Sequence, residues 1–309
     1  MSTQAPRAVV LIRPHHFFPN PATAADNAFQ SPAPTDGATL AVRARDEVTA
    51  AAERLEEHGV TVHLFEDEAV DHPDSVFPNN WFSTHAGGHI AIYPMHSSSR
   101  RGERRSDVIE LLKRRYRVQD VVDYSGLEYD DVFLEGTGAM VLDHASRVAY
   151  TVRSNRANPV ALERFCTNFG YEPMVFDATD ELGAPIYHTN VMMGIATEFA
   201  MIGLSMIPDE RRRTEVVERL STDGRAIIEL SPEQVRSFAG NVLELRGSAG
   251  RILAISARGL ASLDDAQRAM IEQSCTIVPL SVPTIELAGG SVRCMLAGIH
   301  LDPRPAPVG

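Results

Sequence analysis

The sequence is poor in the features that mark several classes of protein. It contains only three cysteines, Cys166, Cys275 and Cys294, and their odd number and wide spacing argue against a disulfide framework and favour a reducing compartment. No stretch approaches the roughly 18 apolar residues that a membrane-spanning helix needs. The first residues also lack the basic and apolar segments of a signal peptide. We therefore expect a cytoplasmic protein that does not bind membranes.

Basic residues are also scarce, with 29 Lys and Arg against 41 Asp and Glu and a net charge of −12. Nucleic-acid affinity depends largely on basic side chains that neutralise phosphates, so we expect no nucleic-acid partner. The one basic cluster, residues 100–105, contains Glu103 and is typical of a solvated surface.

Hydrophobic residues make up 44% of the 309-residue chain, which is enough for a large buried core. Short linkers throughout predict a single domain over residues 1–309. Two Pro-rich segments stand outside the periodic elements. We expect residues 14–34 to form an ordered loop over one face and residues 303–309 to form a frayed tail.

The sequence does contain a repeat of helix, strand, turn and strand. Apolar residues at i, i+3 and i+4 spacing predict helices, and β-branched or aromatic runs after them predict strands. The predicted helices cover about residues 40–58, 104–115, 158–168, 209–220 and 261–273, and the strands after them cover 60–65, 118–122, 172–176, 226–230 and 276–280. A turn and a second apolar strand follow each of these strands. The turns end at Asn80, Gly138, Asn190, Asn241 and Cys294, separated by 58, 52, 51 and 53 residues.

This period lies in the range of repeat architectures. If the five units close around an axis, the strands after the turns converge, and so do the side chains at the turns. The alternative is a coincidental repeat, since α/β chains often alternate elements of similar length. In the closed arrangement the candidate neighbours of Cys294 are Asn80, Glu135, His188, Asn190 and Asn241.

Cys294, His188 and Glu135 are the three residue types that an activated thiol needs. A histidine serves as general acid and base, a glutamate accepts its second ring N–H, and the cysteine attacks as the thiolate. Each has a structural alternative, because free cysteine is usually a buried packing residue. Asparagine is also common in turns because it tolerates left-handed backbone. For Asn241 this structural role is the favoured interpretation.

Four motifs in these turns resemble the guanidino-group-modifying enzymes, a superfamily that includes arginine deiminases, dimethylarginine dimethylaminohydrolases and amidinotransferases. The motifs are EGTG at 135–138, SNRAN at 154–158, HTN at 188–190 and GGSVRCML at 289–296. The resemblance runs through nearly the whole chain from IRPHHF at 12–17. It implies an α/β fold, the fivefold pseudosymmetric propeller called the pentein fold.

The same resemblance implies roles for individual residues. Cys294 is then the nucleophile, His188 the acid and base, and Glu135 its partner. Arg156 and Arg101 are candidate clamps for a substrate carboxylate, with Arg100 as the alternative to Arg101. Asn27, in DNAFQ, matches a substrate-loop asparagine of some relatives. No cofactor and no metal are implied.

The sequence departs from the family at two positions that bear on the substrate. Relatives that bind a guanidinium usually carry aspartates where this chain has Asn80 and Asn190. A carboxylate only accepts hydrogen bonds, whereas an amide both donates and accepts, so amides suit a neutral ureido group. In this respect the chain is most similar to the citrulline utilisation branch. We therefore expect a citrulline hydrolase that releases ornithine, ammonia and carbon dioxide.

Three other functions remain open at this point. A deiminase or dihydrolase acting on arginine or methylated arginine is the nearest alternative, and an amidinotransferase is disfavoured by the chain length. A non-catalytic propeller that serves as a binding module is the alternative of another class. The expected partner is a small-molecule amino acid, and the assembly is either a monomer or a homodimer.

Overall fold

The computed structural model describes residues 3–305, which form five separate three-stranded sheets. In each sheet an inner strand pairs antiparallel with a middle strand, which pairs parallel with an outer strand. From inner to outer, the sheets are β15 (Ala297–Ile299), β1 (Ala8–Pro14) and β2 (Thr61–Asp67); β3 (Phe82–His85), β4 (His89–Ile92) and β5 (Asp120–Asp123); β6 (Met140–Asp143), β7 (Val148–Val152) and β8 (Glu172–Phe176); β9 (Met193–Ile195), β10 (Phe199–Ile202) and β11 (Ala226–Glu229); and β12 (Leu243–Arg246), β13 (Arg251–Ser256) and β14 (Thr276–Leu280).

The first and last strands of the chain share one sheet. β15 pairs antiparallel with β1, with Ala8 opposite Ile299 and Val10 opposite Ala297. The ring of units is therefore closed by backbone hydrogen bonds between the two ends of the chain.

A helix connects the middle strand to the outer strand in every unit, which is the connection that parallel pairing requires. These helices are α1 (Gly37–Glu57), α2 (Ser106–Arg115), α4 (Pro159–Phe169), α5 (Glu210–Leu220) and, in the last unit, α7 (Ala257–Ser262) with α8 (Asp265–Glu272). Their bounds confirm the predicted repeat to within a few residues, with one difference. The helix predicted at 261–273 is divided, because Asp264 accepts a hydrogen bond from the Gln267 backbone N–H and caps a new helix.

Tight turns precede the inner strands and are buried at the axis. They include the 3₁₀ turns Pro78–Asn80 and Thr189–Val191 and the short helices α3 (Gly136–Ala139) and α9 (Val292–Met295), while α6 (Pro232–Arg236) lies just before the fourth turn. Asn80, Asn190, Asn241 and Cys294 are each at most 2% exposed. The closed arrangement thus gathers the turn residues in the centre of the protein, as the repeat predicted.

The Pro-rich loop lies across the end of the axis where these turns meet. It is fastened there by hydrogen bonds from the Ser31 N–H to Leu287 O (2.9 Å) and from Asn20 Nδ2 to Asp74 Oδ2 (2.7 Å). In the C-terminal segment, Arg304 N donates to Arg115 O. Residues 306–309 of the predicted tail lie outside the described residues. Within residues 3–305, no helix is long and apolar enough to cross a membrane.

Candidate active site

Two of the three predicted catalytic side chains, Cys294 and His188, face one narrow cavity at the axis. Cys294 lies on α9, and His188 immediately precedes the turn Thr189–Val191. His188 Nε2 lies 2.8 Å from Glu135 Oε2, and Glu135 precedes α3. The cavity is lined by Thr23, Asn27, Asp74, Phe77, Asn80, Arg100, Arg156, Tyr187, His188, Ala288, Gly290 and Cys294.

The sulfur of Cys294 receives two amide contacts. The Nδ2 groups of Asn190 and Asn241 each lie 3.3 Å from Sγ. Asn241 also donates to Asn190 O (2.8 Å), and its Oδ1 accepts from the Arg293 N–H (3.0 Å). The structural role favoured for Asn241 is therefore incomplete, because this side chain both fixes the turns and contacts the sulfur. The two amides fix the position of the sulfur beside the cavity.

Glu135 stays ionised although it is fully buried. Burial raises the pKa of its carboxyl, but the positive charge of Arg156 and the hydrogen bond and charge of His188 together hold that pKa well below its usual range. The Arg156 Nη1 group lies 3.4 Å from Oε2, and the His96 backbone N–H donates to Oε1 (3.0 Å). A fixed carboxylate at Nε2 holds the proton there and leaves the Nδ1 lone pair of His188 free to act as a base.

His188 is held neutral by its surroundings. Burial lowers the pKa of the imidazole to about 4, although the hydrogen bond to Glu135 opposes this shift. The site therefore presents a neutral imidazole, a thiol with two amide donors and an ionised carboxylate. A neutral imidazole can take a proton from the thiol and, once charged beside Glu135, return it to a departing nitrogen.

The predicted carboxylate clamps differ in position. Arg156 lines the cavity, but its Nε and Nη2 groups are bound to the Asp26 carboxylate at 3.1 and 2.6 Å. The prediction of Arg101 is wrong by one residue, since Arg100 lines the cavity and is 2% exposed. Arg101 instead points outward to Glu128, 3.4 Å away. Residues 98–103 form a 3₁₀ turn, in which adjacent side chains point in different directions.

Asn27 reaches the cavity wall, but both of its polar groups are used to hold the loop. Nδ2 donates to Ala288 O (3.1 Å), and Oδ1 accepts from the Phe29 N–H (3.1 Å). Its contacts therefore fasten the Pro-rich loop beside the cavity.

Several polar residues near the site were not among the predicted residues, and Asp74 and Asn79 are the two that bear on its charge and hydrogen bonding. Asp74 is a second buried acid, and it lines the cavity beside Arg100 at 3.6 Å. The cavity therefore holds a carboxylate although both aspartate positions of the relatives are asparagines in this chain. Asn79 is fully buried, and neither of its amide atoms has a hydrogen-bond partner among the described residues. The doubled asparagine in PNN was the available signal for Asn79.

Asn80 lines the cavity as expected, and Asn190 lies beside the sulfur. The Oδ1 atoms of both side chains are buried and have no partner within residues 3–305. Gly138 leaves room for this arrangement. A Cβ atom at Gly138 would lie 2.2 Å from Asn80 Oδ1 and 2.8 Å from His188 Nδ1.

We expect Gly138→Ala to displace Asn80 and His188 and to lower kcat/KM at least about 100-fold, the loss typical of a misplacement of about 1 Å. Gly126→Ala is the matched control, because a Cβ there meets nothing within 4 Å. Steady-state kinetics and circular dichroism of both variants test this. Unchanged kinetics for Gly138→Ala would show that the close packing at this glycine does not position the site.

The lowered pKa of His188 predicts its charge across the working range of pH. With a folded-state pKa of about 4, the ring is neutral at pH 5 to 8 and becomes charged only as the pH falls through about 4. NMR titration of histidine ring nitrogens, with His188→Gln for assignment, measures this directly. A midpoint near 6.5, the ordinary value, would contradict the assignment of a buried neutral base.

Comparisons with known proteins identify the family and the fold. The family model described as N,N dimethylarginine dimethylhydrolase, eukaryotic, matches residues 13–301. Curated protein sequences give no match. Among solved structures, the N-terminal domain of ArgZ, an arginine dihydrolase from the ornithine–ammonia cycle in cyanobacteria, has a TM-score of 0.73 and 15% identity, covering 94% of this chain and 97% of that domain. It was solved as a cysteine-to-serine variant bound to substrate.

Two further structures are similar. AgrE, in a ternary complex with ornithine and NAD+, has a TM-score of 0.73 and 16% identity over 98% of this chain and 40% of AgrE. A dimethylarginine dimethylaminohydrolase adduct has a TM-score of 0.64 and 12% identity, covering 97% of this chain and 100% of that one. This chain thus spans about 40% of the length of AgrE. These likenesses confirm the predicted fivefold α/β propeller.

Proposed function

We propose that this chain, which belongs to the N,N-dimethylarginine dimethylhydrolase family, is a cysteine-dependent hydrolase that acts on the ureido group of citrulline. The observation that carries this choice is Asn80, which lines the cavity together with His188 and Cys294. Its buried Oδ1 lacks a partner among the described residues. Because an amide both donates and accepts, Asn80 matches a ureido group, which has both N–H donors and a carbonyl acceptor.

The charges that line the cavity support a neutral reacting group. Arg100 and Arg156 line the cavity but are paired with Glu103 and Asp26, so a substrate α-carboxylate would share them with these acids. Asp74 offers negative charge to an α-ammonium. Glu135 is already occupied by Arg156 and His188. With Asp74 facing the α-ammonium, a guanidinium in place of the ureido group would be a buried cation without a further carboxylate among the lining residues, which is costly.

In the proposed reaction, His188 takes the thiol proton and the sulfur of Cys294 attacks the ureido carbon. The amide of Asn80 is a candidate donor to the oxyanion that forms, a contribution worth about 10²–10³ in rate. The protonated His188 returns its proton to a departing nitrogen. Water then hydrolyses the thiocarbamoyl intermediate, with His188 again as base. The net reaction consumes one water and converts citrulline to ornithine, ammonia and carbon dioxide.

Arginine is the second candidate substrate, and one observation favours it. The buried carboxylate of Asp74 lines the cavity and could face a guanidinium. An arginine dihydrolase would also be consistent with the fold shared with ArgZ. The two candidates differ in which group Asp74 contacts, the α-ammonium or the reacting end.

The substrate is tested by incubating the purified protein separately with citrulline, arginine and dimethylarginine. We expect ornithine and ammonia from citrulline and no turnover by Cys294→Ser, whose side chain is nearly isosteric. Citrulline or ornithine formed from arginine, with citrulline itself inert, would replace the proposal with an arginine deiminase or dihydrolase. Activity retained in Cys294→Ser would remove the thiol from the mechanism.

Asn80→Asp tests the electrostatic argument for the ureido group. A carboxylate at this position cannot donate to the ureido oxygen and attracts a cation, so kcat/KM for citrulline should fall at least about 100-fold, as for loss of one oxyanion donor, and arginine should bind more tightly. Asn155→Asp is the control, because it changes the net charge equally at an exposed position outside the cavity lining. An unchanged preference between the two substrates in Asn80→Asp would mean that another residue selects the substrate.

A further inference from the structure

A second cavity lies on the axis at the opposite end of the inner strands. It is narrow, with a volume of about 40 Å³, and all five inner strands contribute to its wall. Its polar lining consists of Gln4, Ser83, Thr84, Thr137, His144, Arg293 and His300. The lining contains no Asp or Glu. This cavity is therefore positively charged, in a protein whose net charge is −12.

The positive charge comes from Arg293, whose guanidinium has one hydrogen bond among the described residues, from Nη1 to Leu296 O (2.9 Å). Three other arginines in the protein interior are each paired with a carboxylate. The pairs are Arg100 with Glu103 at 2.9 Å, Arg156 with Asp26 at 2.6 Å and Arg225 with Asp143 at 2.7 Å. Within residues 3–305, Arg293 has no carboxylate within 4 Å. Burial lowers its pKa to about 10, so it still carries its charge at neutral pH.

The neighbours of Arg293 do not balance this charge, but they supply hydrogen-bond donors. The rings of His144 and His300 stack with their centroids 3.8 Å apart. Burial, and after it the nearby positive charge, lowers the pKa of both, to about 4 for His300. Both rings are therefore neutral near pH 7, and each carries one N–H. The hydroxyl groups of Ser83 and Thr84 also line the cavity, but they are engaged within the protein. Thr84 Oγ1 donates to Gly298 O (3.0 Å), and Ser83 Oγ lies 2.7 Å from His85 Nε2 and 2.6 Å from the Tyr93 hydroxyl.

Gln4 closes the outer end of this cavity. Its Nε2 donates to Leu142 O (3.0 Å) and Ile195 O (3.1 Å), and its Oε1 accepts from the His144 N–H (2.9 Å). These bonds join the neighbouring inner strands β6 and β9. The N-terminal segment is thereby fixed in the cavity wall beside His144.

We propose that this axial cavity binds a small inorganic anion, of the size and charge of chloride or bicarbonate, on the guanidinium of Arg293. A buried cation without a partner is costly, and a bound anion offsets that cost. Neutral imidazole N–H groups of the cavity wall would add donors to the anion's shell. Chloride and bicarbonate share these requirements, but a planar oxyanion can also accept two parallel N–H bonds from one guanidinium.

The site differs from the candidate active site, although the two meet at α9. Arg293 lines the second cavity, and Cys294 lines the cavity of the candidate active site. Asn241 contacts both residues, because its Oδ1 accepts from the Arg293 backbone N–H and its Nδ2 lies beside the Cys294 sulfur. The proposal does not depend on which substrate the thiol attacks.

Thermal unfolding tests the site in the intact protein. Sodium gluconate is replaced by sodium chloride or sodium bicarbonate at constant ionic strength and pH. With 100 mM anion, we expect the Tm of the wild type to rise by about 2–4 °C, as for a ligand at roughly ten times its Kd. A larger shift with bicarbonate identifies an oxyanion site, and a larger shift with chloride identifies a halide site.

Arg293→Met is the informative variant, because it removes the charge and keeps the apolar stem. Its Tm should not respond to either anion, and Arg293→Lys, which keeps a point charge, should show a reduced response. Crystals of the wild type grown with sodium bromide should show an anomalous peak within about 3.5 Å of the guanidinium, a hydrogen-bonding distance. Equal shifts in wild type and Arg293→Met, or no shift of the wild type with either anion, would overturn the proposal, and a bromide peak away from Arg293 would overturn the assignment of a halide to this guanidinium.

Discussion

The position of the candidate nucleophile depends on the pairing of the last strand with the first. β15 begins three residues after Cys294, and its hydrogen bonds to β1 place the fifth unit against the first. Without this pairing, the turn that carries Cys294 would not be held opposite the turns that carry Asn80 and His188. The chemistry of the site therefore depends on a long-range contact, the closure of the ring. Closure costs conformational entropy, and the hydrophobic core that the five units bury together offsets this cost.

Charge balance is the second constraint on the site. Glu135 is fully buried, and it remains ionised because Arg156 and His188 contact it. Arg156 in turn is neutralised by Asp26, which lies in the Pro-rich loop. The loop therefore does more than cover the cavity, since it supplies the charge that allows a second arginine near the carboxylate. A substrate carboxylate that approached Arg156 would compete with Asp26, which couples substrate binding to the position of this loop.

The sequence predicted the repeat, the five helices and the convergence of Cys294, His188 and Glu135, because these follow from periodicity and from closure. It did not predict features that depend on side-chain direction inside short turns. The sequence alone does not distinguish Arg100 from Arg101, because residues 98–103 show no helical period. The 3₁₀ turn that these residues form directs Arg100, and not Arg101, into the cavity. Asp74 precedes the PNN turn by four residues, at a point where no repeat position marks it. Asp74 reaches the cavity because of the path that the chain takes between β2 and β3. The helix and strand propensities of the residues in this loop do not determine that path.

The short helix α9 shows how one turn serves both ends of the axis. Successive residues on a helix point about 100° apart, so Arg293 and Cys294 enter different cavities from adjacent positions. The sulfur needs positive charge or donors nearby to ionise, and His188 is neutral. Arg293 immediately precedes Cys294 and has no carboxylate within 4 Å among the described residues, in contrast to Arg100 and Arg156, which are paired with acids. Adjacent positions of one short turn thus place a cation in one cavity and the candidate nucleophile in the other.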